Sequence, residues 1–168
     1  PMQQSRQAQL VFGVRGGRTL DITTYGANRP LHSGHYGNWG PNPIMSMAYL
    51  LTSMRDETGR ILIEGYYYNV AALTESESAA IDAMPDIEAR LKDELAVHTP
   101  EGSGTRIEEL VTLPAFNARG ITGGGVGDQG RNIILSSSTV SLNLRLVPNQ
   151  RPERIRQIIE NHINGEGY

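Results

Sequence analysis

Alternating apolar and polar residues predict β-strands near both ends of the chain. Residues 9–25 read QLVFGVRGGRTLDITTY, with apolar and β-branched residues alternating on both sides of a Gly16–Gly17 pair. This pattern is typical of two strands joined by a turn. Residues 140–148 read VSLNLRLVP and alternate most regularly. The three leucines face one side of this predicted strand, and the polar residues, Arg145 among them, face the other.

Apolar residues at helical spacing predict two amphipathic helices. The first begins at Asn42 and Pro43, because asparagine caps helices and proline fits their first turn. Its apolar stripe consists of Ile44, Met47, Ala48, Leu51 and Met54. We expect this helix to end near Gly59, and residues 60–68, RILIEGYYY, to return as a strand. The second helix covers residues 151–163, with an apolar face of Ile155, Ile158, Ile159 and His162.

Between these elements lies an acidic segment rich in helix-forming residues. Residues 74–95 predict one kinked helix or two short helices. Thr74 and Glu77 have the spacing of a capping box, which marks a helix start. Pro85 interrupts the helical pattern, because proline cannot continue a helix interior.

The order of these elements predicts the fold class. Segments rich in glycine, proline and serine at residues 98–106 and 120–130 predict loops, and the weakly patterned residues between them are expected to be extended. The whole pattern favours an α+β fold: a ferredoxin-like antiparallel sheet with two main helices on one face, plus a helical insertion. The 168 residues fit one domain with its own core.

Charge and composition exclude several classes of partner. A net charge of −3 provides no basic surface for nucleic acid or anionic lipid. The chain has no cysteine, which excludes disulfides and thiolate zinc sites and fits a cytoplasmic location. No apolar run reaches membrane-spanning length, and the N-terminal segment PMQQSRQAQL is polar. We therefore expect neither a membrane anchor nor a signal peptide.

The residues alone do not predict a self-contained enzyme. The glycine-rich segment 120–130 lacks the Gly-Lys-Ser/Thr ending of a phosphate-binding loop. No serine lies in a nucleophile-elbow pattern. The histidines lie in different predicted elements and do not show the spacing of a metal site. They are His32, His35, His98 and His162.

Two long segments, in order, resemble one enzyme family. Residues 12–67 contain LHSG, a glycine-rich turn, NP at a helix start and GRILI followed by GYY. Residues 131–155 contain RNII and an RLVP strand before the closing helix. Together they resemble the lid, or dimerisation, domain of the co-catalytic zinc exopeptidases typified by carnosinase and peptidase V, a family that also contains aminoacylase and succinyl-diaminopimelate desuccinylase. The chain is most similar to the carnosinase-type dipeptidase branch.

The resemblance implies that residues 1–168 form a single lid and dimerisation domain, and that this domain is a fragment of a larger metallopeptidase. In the family, a separate catalytic domain holds two zinc ions, so none is expected in this chain. The isolated domain is expected to be inactive. The resemblance further implies a homodimer, in which the lid closes over a small peptide or acyl-amino-acid substrate in the partner subunit's site.

Three residues match functional positions of the family. His32 matches the histidine of LHSG, which enters the neighbouring subunit's site and stabilises the tetrahedral oxyanion, so it is the predicted catalytic residue. Asn132 lies where the family has an asparagine or threonine that contacts substrate. Arg145 matches the arginine that binds the substrate's terminal carboxylate. The sequence also departs from the family, with Pro30 before LHSG in place of an acidic residue and Asn38–Trp39 in place of a Gly-Gly pair.

Each of the three residues also has an ordinary structural interpretation. His32 could be a loop histidine bonded to backbone groups, Asn132 a turn residue, and Arg145 a solvent-facing arginine on a strand. The chain would then be a stand-alone ferredoxin-like module that binds a small ligand or mediates association without catalysis. The resemblance favours the lid of a zinc-dependent dipeptidase or related amide hydrolase.

Overall fold

The computed structural model describes residues 13–102 and 104–168. The elements are, in chain order, β1 (Gly16–Tyr25), β2 (Leu31–His32), α1 (Ser33–Tyr36), α2 (Pro43–Met54), α3 (Glu75–Asp82), α4 (Glu88–Glu94), α5 (Ile107–Leu110), β3 (Ala115–Thr122), β4 (Ile133–Ile134), β5 (Ser137–Leu146) and α6 (Pro152–Gly165). A short 3₁₀ turn, Gly127–Gln129, lies in the loop between β3 and β4.

The main sheet has β5 at its centre, with β1 and β3 antiparallel on either side. Along β5, Val140 and the three leucines of the predicted stripe are buried, and Arg145 is exposed on the opposite face. The cross-strand partner of Val140 on β1 is Ile22, which is also buried. The predicted alternation of this strand is therefore confirmed, and it gives the sheet one apolar and one polar face.

Helices α2 and α6 cover the apolar face of the sheet. The buried residues of α2 and α6 form one cluster with the β5 stripe: Met47, Leu50, Met54, Ile155 and Ile159. The two helices also contact each other through Ser53 Oγ and His162 Nε2, which are 2.9 Å apart. The predicted α+β fold, with an antiparallel sheet and two main helices on one face, is confirmed.

Helix α2 begins where the sequence predicts it. The Asn42 side chain accepts hydrogen bonds from the backbone N–H groups of Ile44 and Met45, at 3.0 and 3.4 Å, and Pro43 occupies the first turn. Thr24 of β1 donates its hydroxyl to the Pro43 carbonyl at 2.7 Å. The start of the helix is therefore fixed both by its cap and by the adjacent strand.

The predicted turn at Gly16–Gly17 is wrong. Both glycines belong to β1, where they pair with Leu146 and Arg145 of β5. The long-range ladder overrides the local turn preference of a glycine pair. A Cβ at position 17 would lie 3.2 Å from Nη1 of Arg145, so glycine here leaves room for the guanidinium. Residues 13–15 are not in a strand, and the rest of the predicted first strand lies outside the described residues.

The strand predicted at residues 60–68 is also wrong. Helix α2 ends at Met54, and the following turn is closed by Asp56, whose carboxylate accepts the N–H groups of Thr58 and Arg60 at 2.9 Å each. In residues 55–68 the strand-like pairing is limited to one isolated antiparallel bridge between Arg55 and Ile61. Ile61, Ile63 and Tyr66 are buried, so the apolar pattern reflects packing. The backbone N–H of Leu62 donates to the carbonyl of Met54 at the end of α2, and the backbone N–H of Ile61 donates to the Tyr67 hydroxyl. Neither group donates to a neighbouring strand.

The insertion contains two short helices, α3 and α4, with Pro85 between them, so the second of the two predicted arrangements is correct. Thr74 and Glu77 form the predicted capping box at the start of α3. The residues expected to be extended between the two loops are only partly so, because they form the single turn α5 before strand β3. The loop predicted at residues 98–106 is confirmed in its described part, but the one predicted at 120–130 starts later, because residues 120–122 pair with β5 as the end of β3, and it contains the 3₁₀ turn.

We expect the substitution Asn42→Ala to lower the free energy of unfolding by about 1 kcal/mol, because it removes the acceptor for two N–H groups at the start of α2. Asn42→Asp is the matched control, since an aspartate keeps the acceptor and places negative charge at a helix N-terminus. Urea denaturation monitored by circular dichroism measures both variants. An equal loss in the two variants would contradict a capping role for Asn42.

Candidate functional site

A two-residue ladder places His32 beside Asn132. Strand β2 pairs with β4, so that Leu31 lies opposite Ile134 and His32 opposite Ile133. Leu31 and Ile134 are buried, and this alternation turns the His32 side chain towards solvent. The backbone N–H of Ser33 donates to the carbonyl of Asn132 at 2.9 Å. The backbones of the histidine and the asparagine singled out by the sequence, 100 positions apart, are therefore adjacent, and both residues are exposed.

The local backbone determines which nitrogen of His32 can donate a hydrogen bond. His32 caps the short helix α1, and its Nδ1 accepts the backbone N–H of Gly34 at 3.1 Å. A neutral imidazole that accepts at Nδ1 carries its proton on Nε2. In the described part of the chain Nε2 has no hydrogen-bond partner, and the side chain is exposed. The ring is thus prepared to donate a hydrogen bond from Nε2 to a bound molecule.

Two neighbours fix the position of the imidazole ring. A Cβ on Gly34 would lie 2.9 Å from Cε1 and 3.1 Å from Nδ1 of His32, so a side chain at position 34 would displace the ring. The ring of His35 lies against that of His32, with centroids 4.7 Å apart and planes tilted by 34°. The sequence reasoning assigned no role to either neighbour, since both act through contacts that depend on the α1 turn.

Arg145 stands on the polar face of the sheet, between two very small residues. Its cross-strand partners are Gly17 on β1 and Ala115 on β3. The guanidinium lies over Gly17 and enters a groove of about 860 Å³. Among the described residues, no carboxylate forms an ion pair with Arg145. The absence of large neighbours leaves the guanidinium accessible to a ligand.

A second arginine, Arg15, lines the same groove. Its Nη1 donates to the carbonyl of Leu113 at 2.7 Å, which holds the side chain against the segment before β3. Partial burial, and then the positive charge of Arg145, lower the pKa of the Arg15 guanidinium from its usual value. The sequence reasoning did not single out Arg15, because nothing in residues 9–25 indicates that it meets a segment 98 positions away.

The two parts of the candidate site lie at opposite ends of the sheet. The first is the His32–Asn132 pair, next to the start of β5 at Ser137, and the second is Arg145 near its other end. Eight residues separate Ser137 from Arg145, which at the rise of an antiparallel strand corresponds to roughly 25 Å. An extended dipeptide spans only about 7 Å. The two parts thus lie towards opposite ends of β5 within one chain.

The described residues do not form a metal centre of their own. In residues 13–102 and 104–168, no group of three or more histidine, cysteine, aspartate or glutamate side chains is arranged to hold a metal ion. The site is thus built from an imidazole, an amide and guanidinium groups. Nor does any helix in these residues combine the length and the apolar composition needed to cross a bilayer.

The fold and the motifs are matched by one family model, the peptidase dimerisation domain, which covers residues 12–168. This chain belongs to the peptidase dimerisation domain family. The predicted resemblance to the lid of the carnosinase-like metallopeptidases is thereby confirmed. In this family, the name of the domain describes its part in oligomerisation.

Curated relatives of this dimerisation domain are metallodipeptidases. The chain is 24% identical to the Cys-Gly metallodipeptidase of Schizosaccharomyces pombe over 163 residues, which covers 95% of this chain and 34% of that protein. It is 26% identical to the Beta-Ala-His dipeptidase of Mus musculus over 163 residues, covering 94% of this chain and 32% of that protein. The chain thus spans about a third of the length of these relatives.

A solved structure extends the likeness to the whole fold. An M20 family metallo-carboxypeptidase from Sulfolobus solfataricus matches with a TM-score of 0.82 and 28% identity, over 98% of this chain and 44% of that chain. This dimerisation domain therefore has the fold of a domain present in larger metallopeptidases. The roles of His32, Asn132 and Arg145 remain predictions.

We expect Gly34→Ala to displace the His32 ring, because the added methyl group would lie within 3.1 Å of two ring atoms. Long-range proton–nitrogen NMR of the imidazoles at alkaline pH measures the effect. The wild-type domain should show His32 protonated on Nε2, and the variant should lose this preference while its other resonances stay in place. Gly165→Ala is the control, because a Cβ there meets no atom within 4 Å. An unchanged His32 spectrum in Gly34→Ala would refute the proposed contact.

Proposed function

We propose that this domain is the lid and dimerisation part of a zinc-dependent dipeptidase or related exopeptidase-type amide hydrolase. In this proposal it supplies an oxyanion-stabilising residue and substrate-binding residues to active sites shared by two copies. The observation that carries the proposal is the hydrogen bond from the Gly34 N–H to Nδ1 of His32, which leaves Nε2 as the donor. The metallopeptidase relatives supply the class of reaction.

His32 donates to the oxygen of the scissile carbonyl. Negative charge develops on this oxygen only as water attacks the carbonyl carbon, so a donor placed there in advance stabilises the transition state more than the bound substrate. The Nε2 proton of a neutral imidazole meets this requirement. The Gly34 bond and the His35 ring hold the donor in one orientation before substrate arrives, which avoids reorganisation during the reaction.

Asn132 and Arg145 bind the substrate. The Asn132 side chain carries both a donor and an acceptor next to His32, and it can therefore pair with the N–H and C=O groups of a peptide. The Arg145 guanidinium presents parallel N–H groups that match the two oxygens of a terminal carboxylate. Terminal carboxylate recognition fixes the register of the substrate, so that one particular peptide bond lies at the reacting position.

The length of roughly 25 Å along β5 between Ser137 and Arg145 supports a site shared between two copies. In a homodimer, the His32–Asn132 pair of one copy completes the active site in which the other copy's equivalent of Arg145 holds the substrate. The outer face of α2 supports association through this helix, because Met45 and Tyr49, one turn apart, are 49% and 65% exposed. The outer face of α6 carries charged residues instead, among them Arg156 paired with Glu160.

The proposed metal ions lie outside this chain. The proposal assigns two zinc ions to the catalytic part of the parent protein, as in the family that the sequence resembles, and no group of side chains in residues 13–102 and 104–168 is arranged to hold them. The proposed substrate is a small peptide or an acyl-amino acid with a free terminal carboxylate. The absence of cysteine among the 168 residues is the ground for proposing a cytoplasmic parent.

In the full-length parent, His32→Ala should reduce kcat by roughly a hundredfold or more, as expected for the loss of one oxyanion donor. The measurement is hydrolysis of a panel of dipeptides and acyl-amino acids, with metal content determined on the same samples. His98→Ala is the matched control, since His98 is an exposed loop residue. Unchanged turnover in His32→Ala would favour the alternative, a module that binds a small ligand or mediates association.

Mixing two inactive variants tests whether the site is shared. A His32→Ala copy paired with an Arg145→Ala copy leaves one site with both residues intact and one with neither. Statistical mixing of two homodimers should restore about a quarter of wild-type activity, because about half of the dimers are mixed and each has one intact site. If one copy supplied both residues to the same site, no activity would return, and the shared-site arrangement would be rejected.

A further inference from the structure

Arg15 places a second guanidinium in the groove that Arg145 enters. Arg15 lies just before β1 and Arg145 on the neighbouring strand β5, so both cations approach the groove from the same end of the sheet. Residues 71–73 and 111–112 also line the groove. Within the described residues, neither arginine forms an ion pair with a carboxylate. Two guanidiniums without ion-pair partners in one concave surface favour the binding of an anionic ligand.

The groove holds Arg15 in a position from which it can bind a ligand. Its hydrogen bond to the Leu113 carbonyl uses one of the five N–H groups of the guanidinium. The remaining N–H groups are available to a molecule in the groove. Arg145 has space on both sides, because Gly17 and Ala115 are its cross-strand partners. One guanidinium is thus carried by the segment just before β1 and the other by β5, so the two can pair with different anionic groups of one ligand.

The one acidic residue that lines this groove does not neutralise the pair. The carboxylate of Glu77 accepts the backbone N–H and the hydroxyl of Thr74, both at 2.8 Å. These bonds lower the pKa of Glu77, so it stays ionised but engaged in the capping box of α3. Glu77 forms no ion pair with either guanidinium among the described residues, so Arg15 and Arg145 have no direct carboxylate partner in the groove.

We propose that the groove selects substrates whose C-terminal residue carries two carboxylates, namely aspartate or glutamate. Arg145 binds the α-carboxylate and Arg15 binds the side-chain carboxylate. This inference rests on the proposed function, in which Arg145 is the ligand of the terminal carboxylate. A C-terminal residue with a neutral side chain leaves Arg15 without a carboxylate partner, whereas the second carboxylate of aspartate or glutamate can pair with it. The groove volume of about 860 Å³ is ample for such a side chain.

Binding to the 168-residue chain tests the groove without any catalytic activity. N-acetyl-L-glutamate and N-acetyl-L-glutamine, which differ in one charge, are titrated while the backbone amide signals of Gly17 and Leu113 are followed by NMR. We expect the glutamate compound to bind about tenfold more tightly. Arg15→Gln should abolish this preference. Arg18→Gln, on the opposite face of β1, should keep it. Equal affinities in the wild type, or a preference that survives Arg15→Gln, would overturn the inference.

Kinetics of the full-length parent separate this inference from the proposed function. The ratio of kcat/KM for Ala-Glu to that for Ala-Gln should be about ten or more in the wild type and in Arg18→Gln, and close to one in Arg15→Gln. Hydrolysis of both dipeptides at equal rates would refute the glutamate preference and leave the proposed function standing. If neither dipeptide is cleaved but the chain still prefers the glutamate compound, the proposed function fails and the charge selectivity of the groove stands.

Discussion

Burial of the apolar face of β5 is the interaction on which the rest of the domain depends. Val140 and the three leucines of this strand lie under α2 and α6, in the centre of the only large cluster of buried residues that the described ranges contain. Each such side chain contributes about 1.5–3 kcal/mol when fully buried. Because successive side chains alternate in direction, the same burial holds Arg145 on the open face. Formation of the core and exposure of Arg145 are thus two results of one pattern.

The other part of the candidate site, the His32–Asn132 pair, depends on the core less directly. Strands β2 and β4 share only two rungs, and so short a ladder is not stable by itself in water. It persists here because Leu31 and Ile134 are buried and because β4 leads directly into β5. His32 and Asn132 are therefore carried by irregular chain that is anchored at a few apolar points. The backbone of this part is therefore held by fewer contacts than the sheet that carries Arg145, while the Gly34 bond and the His35 ring fix the imidazole itself.

The sequence predicts those elements whose periodicity and burial agree. Helix α6 and strand β5 are of this kind. In α2 the start is predicted correctly, but Leu50 is buried and Ala48 of the predicted stripe is exposed. Residues 60–68 show the limit of this reasoning, because an apolar pattern indicates burial but does not say which backbone groups will pair. At Gly16–Gly17, a local turn preference is overridden by pairing with residues 145 and 146.

In the candidate site, too, some residues could be predicted from local sequence and others could not. His32, Asn132 and Arg145 could be proposed from motifs that lie within short stretches of chain. Arg15 and Gly34 could not, since their importance arises from contacts made only after folding. Arg15 meets Leu113 across 98 positions, and Gly34 matters because its missing Cβ leaves space for an imidazole two residues away. Pattern reasoning finds residues that act through their type, and it misses residues that act through their neighbours.

The ten-residue length of β5 has a consequence for how such a domain can evolve. Deleting or inserting one residue in the strand would turn the Arg145 position into the core, whereas a change of two residues keeps its face and moves it by about 7 Å. The spacing along β5 between Arg145 and the His32–Asn132 pair can therefore change only in discrete steps, each comparable to the length of a dipeptide. Gradual adjustment to substrates of different size is left to the loops, where lineages can accumulate insertions without disturbing the sheet.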